Sequence, residues 1–206
     1  MVGEQLVRRG ISSPAVLSVM GRVPRHLFVE ESLAPYAYQD GPLSIGHGQT
    51  ISQPYMVALM TESLDLKPED RVLEIGSGCG YQSAVLAGLC SRVYAVERIP
   101  ALFDKCRGNL MRLGIRNVTM KLGDGAPGWP EEAPFDAVLV AAYSRSVPEG
   151  LRESLALGGR LVMPVGGDHG QLLVLYCRGA DGKISRKTLT ACRFVPLMRD
   201  PKPSAR

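Results

Sequence analysis

The sequence predicts an α/β fold, in which a doubly wound, mostly parallel sheet follows a helical amino-terminal extension. From residue 70 onward, short apolar runs alternate with helical patterns, an order typical of parallel strands joined by crossover helices. The runs are almost continuously apolar, which indicates strands that are buried on both faces. Only the turn GADGK separates the last two runs, so part of the sheet is expected to be antiparallel.

The first 66 residues are expected to be largely helical. Ser13 and Pro14 form a typical helix start, with a capping serine before a proline in the first turn. A second helix is predicted in SQPYMVALMTESLDL, which begins near Pro54 and has apolar residues at spacings of three and four. Between these helices, YQDGPLSIGHGQTIS (38–52) is too long for a simple turn. Loops of that length inside compact domains are often functional.

The remainder of the chain is expected to supply the sheet and its covering helices. The predicted strands are RVLEI (71–75), RVYAVE (92–97), NVTMKLGD (117–124), FDAVLVAA (135–142), GGRLVMPVG (158–166), QLLVLYCR (171–178) and TLTACRFVPL (188–197). The predicted helices are 81–89, 101–114 and 148–156.

Composition narrows the class of protein. The chain has 206 residues and a net charge of +4, without a run of five basic residues, so nucleic-acid binding is not indicated. Five cysteines include no CxxC pair, which argues against a zinc site and a disulfide framework. Neither a signal peptide nor an apolar run long enough for a bilayer is present. We expect a cytoplasmic, monomeric protein that binds no metal, nucleic acid or membrane.

The stretch VLEIGSGCGYQSA places Gly76, Gly78 and Gly80 between the first core strand and a helix. Glycines in such a place allow the main chain to pass close to a bound molecule. The spacing differs from the G-x-G-x-x-G of dinucleotide-binding folds, because Tyr81 stands where the third glycine would be. No Gly-Lys-Ser/Thr follows, which excludes a P-loop. We therefore expect a ligand without phosphates.

Acidic residues accompany this loop at successive strands. Glu97 ends the second core strand, where a carboxylate can accept both hydroxyls of a ribose. Glu74, inside the first strand, is placed to face a cationic ligand group or to orient the amides of the loop. Asp124, in GDG after the third strand, can accept from an adenine amino group. Each alone is also explained as a surface charge, an ion pair or a turn residue, but together they predict S-adenosylmethionine as cofactor.

Longer motifs resemble those of the protein-L-isoaspartate O-methyltransferases. They are AYQDGPLSIGHGQTISQPYMVALM (37–60), VLEIGSGCGYQSAVLA (72–87), GDGAPGWPEEAPFDAVLV (123–140), GGRLVMPVG (158–166) and FVPL (194–197). The similarity extends from VPRHLFV (23–29) to Leu197. Most class I methyltransferases share the glycine loop, whereas GQTIS-x-PY is specific to this family.

The resemblance implies a class I, Rossmann-like methyltransferase with a family-specific rearrangement near the carboxyl edge of its sheet. It implies a repair enzyme that methylates the free α-carboxylate of L-isoaspartyl residues in damaged proteins and peptides. The methyl ester then allows a succinimide to re-form and to open to normal aspartate. By position, Ser52 is the catalytic residue, and Thr50, Ile51 and Ser52 bind the substrate. With the loop as interpreted above, the expected cofactor-binding residues are Glu74, Gly76, Ser77, Gly78, Cys79, Gly80, Glu97, Asp124 and Gly125.

The expected organisation is a single domain over residues 1–206. Residues 1–66 form the helical extension with the substrate and active-site loop. Residues 67–198 form the S-adenosylmethionine-binding core, and residues 199–206 form a flexible tail.

Alternatives remain open at this point. Ser52 also fits the N-cap of the helix that begins near Pro54. Cys79 stands where the family usually has serine, which lowers cofactor affinity only if the side chain, and not the main-chain amide, makes the contact. Tyr143 and Arg145 stand where the family tends to carry alanines, so the mouth of the peptide site is expected to differ. Other functions compatible with the cofactor site are methylation of RNA or of a small metabolite, and non-catalytic binding of an adenosyl ligand.

Overall fold

The core of this protein is a seven-stranded sheet, in a computed structural model that describes residues 1–198. Its strands are β3 (Arg71–Ile75), β4 (Arg92–Glu97), β5 (Val118–Leu122), β6 (Phe135–Val140), β7 (Leu155–Gly167), β8 (Gly170–Arg178) and β9 (Ile184–Cys192). Two earlier strands, β1 (Leu43–Gly46) and β2 (Gln49–Ile51), form a separate two-stranded sheet. The seven-stranded sheet has the order β5-β4-β3-β6-β7-β8-β9. Strands β3 to β7 pair in parallel, and β8 and β9 pair antiparallel, as predicted.

Helices cover both faces of the sheet. They are α1 (Pro14–Arg22), α2 (Pro54–Ser63), α3 (Tyr81–Ala87), α4 (Pro100–Arg112) and α5 (Glu149–Glu153). On one face, Met60 of α2 and Leu86 of α3 belong to a buried cluster with Val72 of β3. On the other face, Leu151 of α5 belongs to a cluster with Leu73 of the same strand. The doubly wound α/β fold is therefore confirmed.

The amino-terminal extension combines helix with shorter helical turns. Ser13 caps α1 as predicted, because its hydroxyl accepts a hydrogen bond from the main-chain amide of Val16 at 3.4 Å. The helical turns are Val2–Leu6, Val7–Arg9, Arg25–Phe28 and Glu31–Tyr36. No helix in the described part of the chain has the length and the apolar character that crossing a membrane requires.

The predicted loop at 38–52 contains a hairpin of β1 and β2, which the sequence analysis missed. The turn between the strands consists of His47 and Gly48, with φ angles of 55° and 70°. Such a left-handed pair matches the twist of a two-residue hairpin turn. Ile45 and Ile51 are each only 4% exposed, so apolar burial holds the hairpin against the core.

Most predicted elements differ from the observed ones by one or two residues at an end, and three need a larger correction. The helix predicted at 148–156 ends at Glu153, because β7 already begins at Leu155. Strand β7 runs to Gly167 and is longer than the predicted 158–166. Strand β9 begins before the predicted residue 188 and ends at Cys192, after which the chain turns across the sheet. The predicted tail at 199–206 lies outside the described residues.

Two glycines of α4 differ in what an alanine would meet. Gly108 lies inside the helix, is exposed, and has no atom within 4 Å of an added Cβ. We expect Gly108→Ala to raise the free energy of unfolding by about 0.5–1 kcal/mol, because alanine loses less backbone entropy in a helix. Urea unfolding measures the change.

Gly114 follows the same helix and also has open space around it, but its φ is +69°. Gly114→Ala is the matched control, and we expect it to lower the free energy of unfolding by about 1–2 kcal/mol through backbone strain. Equal effects of the two substitutions would contradict this account.

Candidate active site

The main cavity of the protein lies at the carboxyl ends of the parallel strands and has a volume of about 400 Å³. It lies where the strand order reverses, since β4 and β5 are on one side of β3 and β6 is on the other. Ligands of open α/β sheets bind at this position, and the volume is typical of small-molecule sites. The wall is formed by residues 49–52, 76–79, 97–99, 123, 125, 141–142 and 195–198, with side chains from the adjoining helices.

The glycine loop, residues 76–80, forms the floor of the main cavity. Gly76, Gly78 and Gly80 have φ angles of +84°, +56° and +90°, which residues with a side chain rarely adopt. Gly76 and Gly78 line the cavity. Gly80 does not, and a Cβ there would lie 2.8 Å from Cys106 Sγ. The third glycine therefore allows α3 to pack closely on α4.

The Glu97 carboxylate fixes the shape of this floor. Its Oε2 accepts from the amide of Gly78 at 2.8 Å, and its Oε1 accepts from the amides of Arg98 and Ile99 at 2.8 and 2.9 Å. A carboxylate has about four acceptor positions, so capacity remains for a ligand hydroxyl. Glu97 lines the main cavity, where the ribose was predicted to bind.

The loop after β5 contributes glycines to the wall. Gly125 lines the cavity, and a Cβ there would lie 2.3 Å from Ile75 Cγ2, so only glycine fits. Asp124 does not line the cavity, and its Oδ1 accepts from the amide of Ala126 at 2.8 Å. Its predicted contact with an adenine stays a prediction. Gly123, which sequence reasoning did not select, lines the cavity as well.

Glu74 lies beneath the floor and outside the cavity wall. Side chains alternate along β3, so Ile75 lines the cavity while Glu74 faces α3. Ser83 of α3 donates a hydrogen bond to Glu74 Oε2 at 2.5 Å, and Oε1 is buried without a partner in residues 1–198. Burial raises the pKa of this carboxyl to about 8. Glu74 thus contacts α3 and does not line the cavity, and its predicted contact with a cationic ligand group stays a prediction.

Ser77 and Cys79 complete the glycine loop, and both line the cavity. The Ser77 hydroxyl is buried and has no partner at normal hydrogen-bond geometry among the described residues. It interacts with the Cys106 thiol and remains available as a donor to a ligand. Burial raises the pKa of the Cys79 thiol to about 11, so it remains protonated. The carbonyl of Cys79 accepts from Asn109 Nδ2 at 2.9 Å. This bond orients the Cys79 main chain whichever side chain the residue carries.

The end of the hairpin forms the opposite wall, where Thr50, Ile51 and Ser52 line the main cavity. The N-cap of α2 is Gln53, and no side chain caps this helix. The capping interpretation of Ser52 is therefore wrong. Thr50 and Ser52 also line a neighbouring side cavity of about 260 Å³, between the hairpin and residues 190–195.

Several wall residues were missed by sequence reasoning. Ile99 and Leu102 follow Glu97 and add an apolar surface. Residues 195–198 cover the cavity, and two main-chain bonds to Tyr143 hold them there, from its amide to Val195 O and from the amide of Leu197 to its carbonyl. Ile99 and Leu102 could have been predicted from the sequence, because they are apolar residues that follow soon after Glu97 at the end of β4.

The wall as a whole fits a nucleoside with an amino-acid arm. It offers loop amides, an unpaired buried hydroxyl, a carboxylate with spare acceptor capacity, and an apolar surface beside it. Within residues 1–198, no group of three or more His, Cys, Asp or Glu side chains is arranged to hold a metal ion.

The chain is similar to known proteins over nearly its whole length. The family model described as Protein-L-isoaspartate(D-aspartate) O-methyltransferase matches residues 1–202. The protein-L-isoaspartate O-methyltransferase of Trichlorobacter lovleyi is 55% identical over 198 residues, which cover 96% of this chain and 91% of that protein. The one from Geobacter metallireducens is 54% identical over 198 residues, with 96% and 92% covered.

A solved structure from Plasmodium falciparum, described as a protein-L-isoaspartate O-methyltransferase in complex with S-adenosyl-L-homocysteine, is also similar. It has a TM-score of 0.84 and 30% identity, over 97% of each chain.

The buried Glu74 carboxyl is expected to make stability depend on pH. Its pKa rises from the ordinary 4.5 to about 8 in the folded chain, so the folded state holds a proton that the unfolded state has lost. Stability therefore falls as the pH rises from 4.5 to 8. Relative to wild type, Glu74→Gln should become more stable by about 1–3 kcal/mol between pH 5 and pH 8.

Urea unfolding at three pH values in this window measures the effect. Glu131→Gln is the control, because the exposed Glu131 has a lowered pKa and stays ionised throughout. A difference between Glu74→Gln and wild type that does not change with pH would refute the prediction.

Proposed function

The chain belongs to the protein-L-isoaspartate(D-aspartate) O-methyltransferase family, and we propose that it methylates the free α-carboxylate of L-isoaspartyl residues, using S-adenosylmethionine. Its membership confirms the resemblance found in the sequence motifs. The proposed role is repair of damaged proteins and peptides, through a methyl ester that returns to a succinimide. A relative with this cofactor's product bound shares the fold over nearly the whole chain.

One structural observation supports the assignment most directly. The main cavity and the side cavity share a wall, because Thr50, Ser52, Ala141 and Val195 line both of them. A cofactor held over the glycine loop and a peptide held in the side cavity would thus approach each other at this wall. We propose that Thr50, Ile51 and Ser52 bind the substrate and that the residues of the glycine loop, Glu97 and Gly125 hold the cofactor.

Methyl transfer to a carboxylate needs no general base. An α-carboxylate has a pKa of about 3.5 and is already ionised at neutral pH. When bound, S-adenosylmethionine would supply a methyl group on a positively charged sulfur. The carboxylate oxygen would bond to the methyl carbon as the carbon–sulfur bond breaks, and neutral S-adenosylhomocysteine would leave. The Ser52 hydroxyl would donate a hydrogen bond that orients the carboxylate. The wall would exclude water, so orientation and desolvation provide most of the rate.

The wider setting is also a proposal. We propose a cytoplasmic monomer that binds neither nucleic acid nor membrane, on the grounds of the net charge of +4 and of five cysteines that are all unpaired. The division into an extension at 1–66 and a core at 67–198 is supported by the change from helical turns to the sheet.

A pair of peptides tests the proposed activity. Both have the same sequence, and one aspartate is linked normally in the first and through its side chain in the second. With labelled S-adenosylmethionine, we expect base-labile methyl ester on the isoaspartyl peptide alone. Labelling of both peptides, or of neither, would overturn the substrate assignment and leave methylation of RNA or a metabolite, or adenosyl-ligand binding, to be tested.

Ser52 is the residue whose removal should separate binding from turnover. We expect Ser52→Ala to keep its affinity for S-adenosylhomocysteine within about threefold and to lose roughly tenfold or more in kcat, because the carboxylate loses a hydrogen bond and its alignment. Calorimetry and the peptide assay give the two values.

The matched control is Ser44→Ala, which changes an exposed serine of the same hairpin that lines neither cavity. Its kcat should remain at the wild-type value. An unchanged kcat in Ser52→Ala would remove Ser52 from the mechanism.

A further inference from the structure

Arg25 carries a positive charge inside the protein, directly behind the hairpin wall. Its side chain is fully buried. Nε donates to the carbonyl of Ala37, and Nη2 donates to the carbonyl of Ser52, both at 2.7 Å. Ala37 and Ser52 flank the hairpin, so one guanidinium holds both ends of the segment that forms the wall.

This guanidinium has no carboxylate partner. Within residues 1–198, no Asp or Glu forms an ion pair with it. Nη1 is buried and has no partner at normal hydrogen-bond geometry, and the side chain that interacts with the guanidinium is the neutral Tyr81 phenol. The guanidinium Cζ lies 4.8 Å from the centroid of the Tyr81 ring. Burial lowers the pKa of Arg25, yet an arginine stays charged. A buried charge without a counterion is costly, which indicates that a ligand supplies the missing negative charge.

The position of the charge points to the substrate end of the site. Ser52 and Tyr81, which Arg25 contacts, both line the main cavity, and Ser52 lines the side cavity too. Arg25 itself lines neither cavity, so it would act across one layer of residues. Glu97, the carboxylate that lines the main cavity, already accepts from three main-chain amides and is proposed to bind the ribose.

We propose that Arg25 is a positioning residue that selects the ionised carboxylate of the substrate over its neutral methyl ester. The inference rests on the proposed function. The guanidinium fixes the carbonyl of Ser52 and sets a positive potential beside the Ser52 hydroxyl. Methylation removes the negative charge of the substrate, so the attraction to Arg25 ends with the reaction and the product is released.

Binding of matched peptides in the presence of S-adenosylhomocysteine tests this. One peptide carries the free α-carboxylate at the isoaspartyl residue, and the other carries a carboxamide of nearly the same shape without the charge. We expect the wild type to bind the carboxylate roughly tenfold more tightly. In Arg25→Met the preference should fall to about twofold or less, and in Arg25→Lys it should stay within about threefold of wild type.

The ratio separates charge from structure. If Arg25→Met only loosens the hairpin, its affinity for both peptides should fall equally and the preference for the carboxylate should stay intact. That result would overturn the proposal. Arg22→Met is the control for net charge, since Arg22 is exposed at the end of α1, and its preference should equal that of wild type. Arg25→Met could instead lose affinity for S-adenosylhomocysteine and keep the peptide preference. Arg25 would then interact with the carboxylate of the cofactor and not with that of the substrate, which would also overturn the proposal.

Other outcomes are equally decisive. If the wild type binds no isoaspartyl peptide, the proposed function fails. If it binds both peptides equally well, only the role of Arg25 fails. Should Arg25→Met not fold, as judged by circular dichroism, Arg25→Lys decides: a retained preference supports the role of the charge, and a lost preference refutes it.

Discussion

The site depends on the carboxylate of Glu97, which binds the main chain of two loops at once. Parallel pairing of β3 with β4 brings the ends of these strands side by side, and Glu97 then accepts amides from the glycine loop and from its own following residues. Hydrogen bonds to an ionised group are stronger than neutral ones. The floor of the cavity is thereby fixed before any ligand arrives, which lowers the entropy that binding must overcome.

The sheet could be predicted from the sequence because its strands are buried on both faces. Runs such as residues 135–140 are apolar throughout, and no helical spacing competes with them. The hairpin could not be found in this way, since its strands are short and its turn includes His47 in the left-handed region, which non-glycine residues rarely adopt. The start of β7 at residue 155 and the end of β9 at residue 192 are set by pairing with neighbouring strands. The sequence around these residues therefore does not predict them.

The candidate site was predictable where motif and strand end coincide, as at Gly76, Gly78 and Glu97. The prediction for Glu74 could have been sharper, because alternation along a strand places residues 74 and 75 on opposite faces. Arg25 gave no signal, since an isolated arginine in a sequence is read as a surface charge. Only the three-dimensional structure shows that it is buried behind Ser52.

Burial of the cysteines has a chemical consequence for the lifetime of the molecule. Burial raises the pKa of Cys79 to about 11 and that of Cys90 and Cys106 to about 12. Peroxides and alkylating agents attack the thiolate, and its fraction at neutral pH falls tenfold for every unit by which the pKa rises. The floor of the cavity therefore resists oxidation, although a sulfur atom forms part of it.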